Sequence, residues 1–236
     1  AAGRMRVGKD FEDPVYGWDN EYGHHDTDVP AFAASKYLVS NREFLAFVET
    51  GGYADDSVWS EEGLHWRNFA KAQQPTFWVK RDEAGKRAWY LRLMGEEVAM
   101  PWDWPVETNY LEAKAFCNWK TRETGQPVRL PSEDEWYRLY DIAGLADPVN
   151  GERANANLHL DGWASSCPVN RFRHGELYDV VGNVWQWTET PTYPFDGFAV
   201  HPIYDDFTTP TFDGRHNLIK GGSWIACGNE AVRAAR

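Results

Sequence analysis

Cysteine is scarce in this chain of 236 residues, which holds only Cys117, Cys167 and Cys227 and no CxxC pair. So few thiols build no disulfide framework. They fit a reducing compartment with three unpaired side chains, and a cytoplasmic location is expected. Long apolar runs are missing too: no stretch approaches about 18 apolar residues, so no membrane-spanning helix and no membrane partner are expected. Residues 1–10 lack the apolar segment of a secretory signal. Basic charge is in short supply, with 24 Lys and Arg against 36 Asp and Glu and a net charge of −12. A nucleic-acid binder needs a basic footprint, so nucleic acid is excluded as a partner. Internal repeats, low-complexity tracts and linkers are absent.

Aromatic residues are abundant. They make up 15% of the chain, with 13 Trp, while the mean hydropathy is only −0.63. Disordered chains lack such residues. Many rings on a polar background point to a loop-rich fold in which indoles and phenols are the large packing units. The length suffices to bury a sizeable core, and one domain over residues 1–236 is the simplest reading.

Three helices are legible. Ser40 and Glu43 form an S-x-x-E cap ahead of Phe44, Leu45, Phe47 and Val48, and Gly51-Gly52 ends that helix. A second spans residues 108–125, burying Ala115, Phe116 and Trp119, with Lys120 and Arg122 near its C-terminal end. The third begins at Pro131-Ser132 with Glu135. It places Trp136, Leu139, Tyr140 and Ala143 at i, i+3, i+4 and i+7 and stops at Gly144. Strand character is seen at residues 4–7, 33–39, 88–93, 177–181 and 218–220, with a long loop between the first two. Few helices, short strands and many turns indicate an irregular α+β domain.

Residues 177–188 read LYDVVGNVWQWT, and residues 220–224 read KGGSW. Gly182-Asn183 is a turn. Trp185 and Trp187 share one face of an extended strand, with Gln186 on the other. Gly221-Gly222 permits positive φ or a close backbone approach. On physical grounds alone, a tryptophan-pinned core beside a tight turn accounts for this stretch without any site.

These two segments, with PVRLPSEDEWYRLYDIAG at 127–144 and YLVSNREFLAFVETGGY at 37–53, resemble in order the signature stretches of the formylglycine-generating-enzyme (sulfatase-modifying factor) family. The resemblance covers the chain nearly end to end and implies an irregular α+β fold of the C-type-lectin-like kind. The family's copper-binding cysteines would fall at Ala226 and Ala231, with Cys227 one residue off, so formylglycine-generating activity is not expected. YGWDNEYG at 16–23 resembles the sulfoxide synthases of ergothioneine and ovothiol biosynthesis. Residues 193–198 (YPFDGF), 201–207 (HPIYDDF) and 212–216 (FDGRH) are more similar to the ovothiol branch.

That branch implies a non-haem iron(II), O2-dependent oxidoreductase, a 5-histidylcysteine sulfoxide synthase. Its substrates would be cysteine, histidine and O2. Two other implications stand beside it: an ergothioneine-type synthase and a non-catalytic lectin-like ligand-binding module. Iron in these enzymes is held by H-x-x-x-H-x-E on an N-terminal helical domain. The seven histidines here follow no such spacing, and His24-His25 before Asp26 and Asp28 reads as a solvated turn. Iron is therefore expected from an iron-binding helical domain of the same parent protein. The family pattern also runs on past Arg236, so the chain is expected to be a fragment without that domain and without a closing strand.

Residue by residue, the resemblance implies Tyr193 as a catalytic proton or hydrogen-bond donor, with Trp187 and Phe195 lining the substrate site. It also implies a structural calcium at Asp179, Gly182, Val184 and Gln186, with main-chain carbonyls supplied by the middle two. Gln186 stands where the family has Glu. The lost charge weakens or abolishes calcium binding.

Overall fold

The computed structural model describes residues 1–83, 86–146, 155–227 and 229–236. In chain order the elements are β1 (Gly3–Lys9), β2 (Gly23–Val29), α1 (Asn41–Glu49), α2 (Glu61–Ala70), β3 (Trp78–Glu83), β4 (Lys86–Arg92), β5 (Glu97–Ala99), α3 (Tyr110–Thr124), α4 (Glu133–Ile142), β6 (Arg173–His174), β7 (Leu177–Tyr178), β8 (Gln186–Pro191) and β9 (Asn217–Lys220). The named strands pair antiparallel, as β1–β2, β3–β4–β5, β6–β7 and β8–β9. The mixture of helices and small sheets is the expected α+β class. Among the described residues no helix is long and apolar enough to cross a membrane. Cys117, Cys167 and Cys227 form no disulfide.

Residues 1–236 form two compact units interleaved in sequence. One comprises residues 37–130 and 164–171. Its core is mainly aromatic, with Phe44, Phe47, Trp59, Trp78, Phe116 and Trp119 all buried beside Val58, Leu91 and Met100. The polar tips of these rings find partners: Trp59 Nε1 donates to the Gly52 carbonyl at 2.9 Å and Trp78 Nε1 to Asn41 Oδ1 at 3.2 Å. This lets indoles serve as core residues. Tyr53 donates to the buried Glu112 carboxylate at 2.5 Å. Glu112 also closes the capping box with Asn109 that starts α3, one residue past the expected Thr108. The Ser40 cap of α1 forms only half a box, because Glu43 turns away to pair with Lys120 at 2.9 Å. Residues 33–39 form no strand; Ser40 alone bridges to Pro105.

The other unit comprises residues 1–36, 131–163 and 172–236. The expected loop between residues 7 and 28 contains a second strand instead. β2 pairs with β1 along its whole length, setting Arg4 opposite Asp28 and Arg6 opposite Asp26. Opposite charges facing each other across a ladder stabilise a strand whose own sequence, GHHDTDV, carries no apolar alternation. α4 has the full Ser132–Glu135 capping box and buries Trp136, Tyr137 and Tyr140 against Met5, Val7, Val29, Val180, Val181 and Phe195. The Tyr137 hydroxyl accepts the Gly8 N–H at 3.1 Å and ties α4 to β1.

Candidate functional site

Within this second unit the chain buries a cluster of charge. Its hub is Glu133, the first residue of α4, whose side chain is 1% exposed. The Glu133 N–H donates to Thr190 Oγ1 at 2.8 Å, holding the helix start against β8. Glu133 Oε2 accepts from Tyr193 Oη at 3.1 Å and from Arg236 Nη2 at 3.2 Å. Oε1 lies 3.1 Å from Arg236 Nε and 3.5 Å from Lys220 Nζ. Neither Oε1 nor Nε has hydrogen-bond geometry, so these contacts are ion pairs only.

Lys220, on β9, is fully buried and donates to the carbonyls of Arg233 at 2.9 Å and Ala235 at 2.5 Å. Its ammonium lies 5.0 Å from the ring centroids of both Trp136 and Tyr137. The Arg236 guanidinium lies 4.3 and 4.2 Å from the ring centroids of Tyr193 and Phe195, and Nη1 donates to the Asn20 and Tyr193 carbonyls at 2.8 and 3.0 Å. Charges out of water persist only when paired and hydrogen-bonded in this way. Burial still pushes Lys220 down to about 8, against the upward pull of Glu133. Burial raises the Glu21 carboxyl, and the nearby cations draw it back only in part.

Tyr193 joins this cluster to the surface. Its hydroxyl lies 3.3 Å from His25 Nδ1, and His25 Nε2 lies 3.0 Å from Asp134 Oδ1. With His25 neutral and Nε2–H donating to Asp134, the one phenol proton can go to Glu133 or to Nδ1. With His25 charged, Nδ1–H donates to the phenol and the phenol proton goes to Glu133. Burial and the Glu133 charge raise the Tyr193 hydroxyl above its ordinary range, so it keeps its proton at neutral pH.

Of the residues expected to bind substrate, Phe195 is buried with its ring centroid 5.5 Å from that of Tyr193. Trp187 is half-buried opposite Ile219 on the β8–β9 ribbon. His24 and His25 are not a solvated turn: both lie on β2, and His25 points at Tyr193 and Asp134. Sequence reasoning missed Glu133, Lys220, Arg236, His25 and Asp134 as a group. The only signal was LPSED itself, where Glu133 reads as an ordinary first-turn acid.

A second feature joins the two segments that resemble the sulfoxide synthases. Asp19, 7% exposed, accepts from Thr208 Oγ1 at 2.5 Å and from the His201 N–H at 3.1 Å. Beside this clasp, the Trp18 ring lies 5.8 Å from Tyr204 and 5.5 Å from Phe207, centroid to centroid. Tyr16, Ile203, Tyr204 and Phe207 are all exposed. Together they make an apolar patch on the surface of the unit, the kind of feature that marks an interaction or ligand surface.

The positions expected to hold calcium do not suit it. Asp179 is buried in a positive-φ turn, and its Oδ2 accepts the Asn183 amide at 3.3 Å while Oδ1 takes no hydrogen bond. That open oxygen fits a cation, and burial pushes the carboxyl up to about 7. Calcium, however, needs about six to eight oxygens. Gln186 presents nitrogen instead: Nε2 donates to the Asp179 and Val180 carbonyls at 3.1 and 3.0 Å. Gly182 turns its N–H to the Gly221 carbonyl at 2.7 Å, and Val184 is half-buried. Among the described residues, no group of three or more His, Cys, Asp or Glu could hold a metal, and no step through iron is assigned to this chain. Ala226 and Ala231 are buried, and the exposed Cys227 donates to the Ile225 carbonyl.

Comparison with known proteins places this geometry. The chain is 31% identical over 234 residues to hercynine oxygenase of Mycobacterium tuberculosis, covering 92% of this chain and 51% of the relative. It is 27% identical over 259 residues to the formylglycine-generating enzyme of Bos taurus, covering 95% of this chain and 64% of that enzyme. The chain thus spans about half the length of the first relative and less than two thirds of the second. The structure of PvdO from Pseudomonas aeruginosa matches all of this chain and 84% of PvdO, with a TM-score of 0.61 at 19% identity, which shows a shared fold. The model of the sulfatase-modifying factor enzyme 1-like domain matches residues 1–236, and the chain belongs to that family.

Proposed function

We propose that this chain is the substrate-binding domain of a sulfoxide synthase that couples the sulfur of cysteine to the imidazole of histidine, as in ovothiol biosynthesis. The observation that carries the reading is the Asp19 clasp. It brings the 16–23 and 201–207 segments, both similar to the synthase branch, into one surface patch around Trp18. The likeness to a hercynine oxygenase supports the broader synthase reading and favours, as the second choice, an ergothioneine-type enzyme that uses trimethylhistidine.

The chemistry balances on one O2. A thiol S–H and an imidazole C–H are lost, and a C–S bond forms. One oxygen atom goes to sulfur, and the other leaves as water with the two released protons. Iron ligands are assigned to a helical domain elsewhere in the parent protein, and the exposed aromatic patch is the surface assigned to that domain. On this chain Tyr193 is the proton donor. It stays protonated at neutral pH, and His25 and Asp134 link it to solvent. Phe195 and Arg236 pack against its ring, and orientation of this kind is the larger part of the domain's contribution.

The test is a mass-spectrometric assay of the whole parent protein with Fe(II), O2, cysteine and histidine. A cysteine–histidine sulfoxide is the expected product. Coupling only with trimethylhistidine would move the protein to the ergothioneine branch.

A further inference from the structure

We propose that the Gln186 carboxamide takes the place of a bound cation in the 179–186 turn, closing with two hydrogen bonds the space where the family resemblance implies calcium. Nε2 sits 3.1 Å from the Asp179 carbonyl oxygen and 3.0 Å from that of Val180. The opposite amide orientation would press Oε1 against two carbonyl oxygens at the same distances, so the contacts themselves fix which end is nitrogen. A positive group facing converging oxygens is what a cation would supply, and here the side chain supplies it as N–H.

The surroundings are built for this amide. Gly221 has φ +91°, and a Cβ there would come 2.7 Å from Gln186 Nε2 and 3.0 Å from the Val180 carbonyl oxygen. The absence of that Cβ leaves the space the amide fills. The Asn183 backbone is tied off within the protein. The Asn183 N–H donates to the Asn157 carbonyl at 2.9 Å, and the Asn183 carbonyl accepts the Trp224 N–H at 3.0 Å. The turn has one carboxylate, Asp179, and the Gln186 amide occupies the Asp179 and Val180 carbonyl oxygens, so in wild type calcium would have to displace it with a single negative charge to hold it. A second carboxylate at position 186 would face the same carbonyls with negative charge and require a cation.

Gln186→Glu is therefore expected to make the fold depend on calcium. Thermal unfolding of the whole protein is measured in EDTA and in about 5 mM calcium, above the dissociation constants of weak protein calcium sites. The calcium-induced rise in midpoint should be greater in Gln186→Glu than in wild type by about 4 °C or more. Gln186→Met, which keeps the length and removes the donors, should melt below wild type in both solutions, with no rescue by calcium. An equal calcium response in wild type and Gln186→Glu would overturn the proposal. So would a Gln186→Glu protein that stays unfolded in calcium, or a Gln186→Met protein as stable as wild type.

Discussion

Replacing Glu133 by Gln keeps the shape of the hub and removes the negative charge that faces Lys220 and Arg236. Both cations stay buried, and breaking a buried pair from one side costs about 3–5 kcal/mol. For a chain of this size each kcal/mol moves the midpoint by about 2–4 °C, so circular dichroism should show a fall of about 6–20 °C. The cost should depend on pH, because Arg236 cannot shed its proton and Lys220 can. Lys220 lies at about 8 in the fold against 10.5 when free. Between these values the unfolded chain holds more protons than the folded one, so wild-type stability rises with pH. Glu133 pulls Lys220 upward. Without it, Lys220 falls further and begins to lose its proton below pH 8, where wild type still holds it. The deficit of the Glu133→Gln variant should therefore be larger at pH 6 than at pH 8, and Lys220→Met on the same background should flatten the difference. A fall under about 2 °C, or equal deficits at both pH values, would refute the reasoning.

Tyr193→Phe removes one of the two donors to Glu133 Oε2, which keeps Arg236, and takes the phenol from His25 Nδ1, which should cost about 0.5–1.5 kcal/mol in unfolding experiments. In steady-state assays it should lower turnover about 100-fold with little change in KM. Asp19→Ala leaves the Thr208 hydroxyl and the His201 N–H without their acceptor. Limited proteolysis should then cut between residues 199 and 213 faster than in wild type. Gly52→Ala would set a Cβ 2.1 Å from the Phe47 ring, itself fully buried. Overpacking should cost about 1–3 kcal/mol or more, read as a lower urea midpoint.

What could be read from the sequence was what local chemistry decides. The Ser132–Glu135 box marks α4, and Asn109, Glu112 and Gly125 bracket α3 almost where the pattern placed it. Failures came where distant residues decide. β2 is polar and exists through its pairing with β1, and Glu43 leaves its cap for Lys120, 77 residues away. α2 was missed because its apolar residues keep no clean helical face, and Phe69 is 90% exposed. The same limit governed the site. Tyr193 and Phe195 came from family resemblance, whereas Glu133 becomes a hub only when β9 and residue 236 close over it. The Gln186 substitution was visible in sequence. What its amide does was not, because the Asp179 and Val180 carbonyls converge on it only in the folded turn.

The central claim is the coupling of cysteine to histidine, and a competition experiment tests it most directly. The whole protein is supplied with Fe(II), cysteine, equal histidine and trimethylhistidine, and isotopically heavy O2, and the products are resolved by mass spectrometry. The account expects mainly the cysteine–histidine sulfoxide, carrying one heavy oxygen atom. A product formed only from trimethylhistidine, or no product from folded and iron-loaded protein, would contradict it.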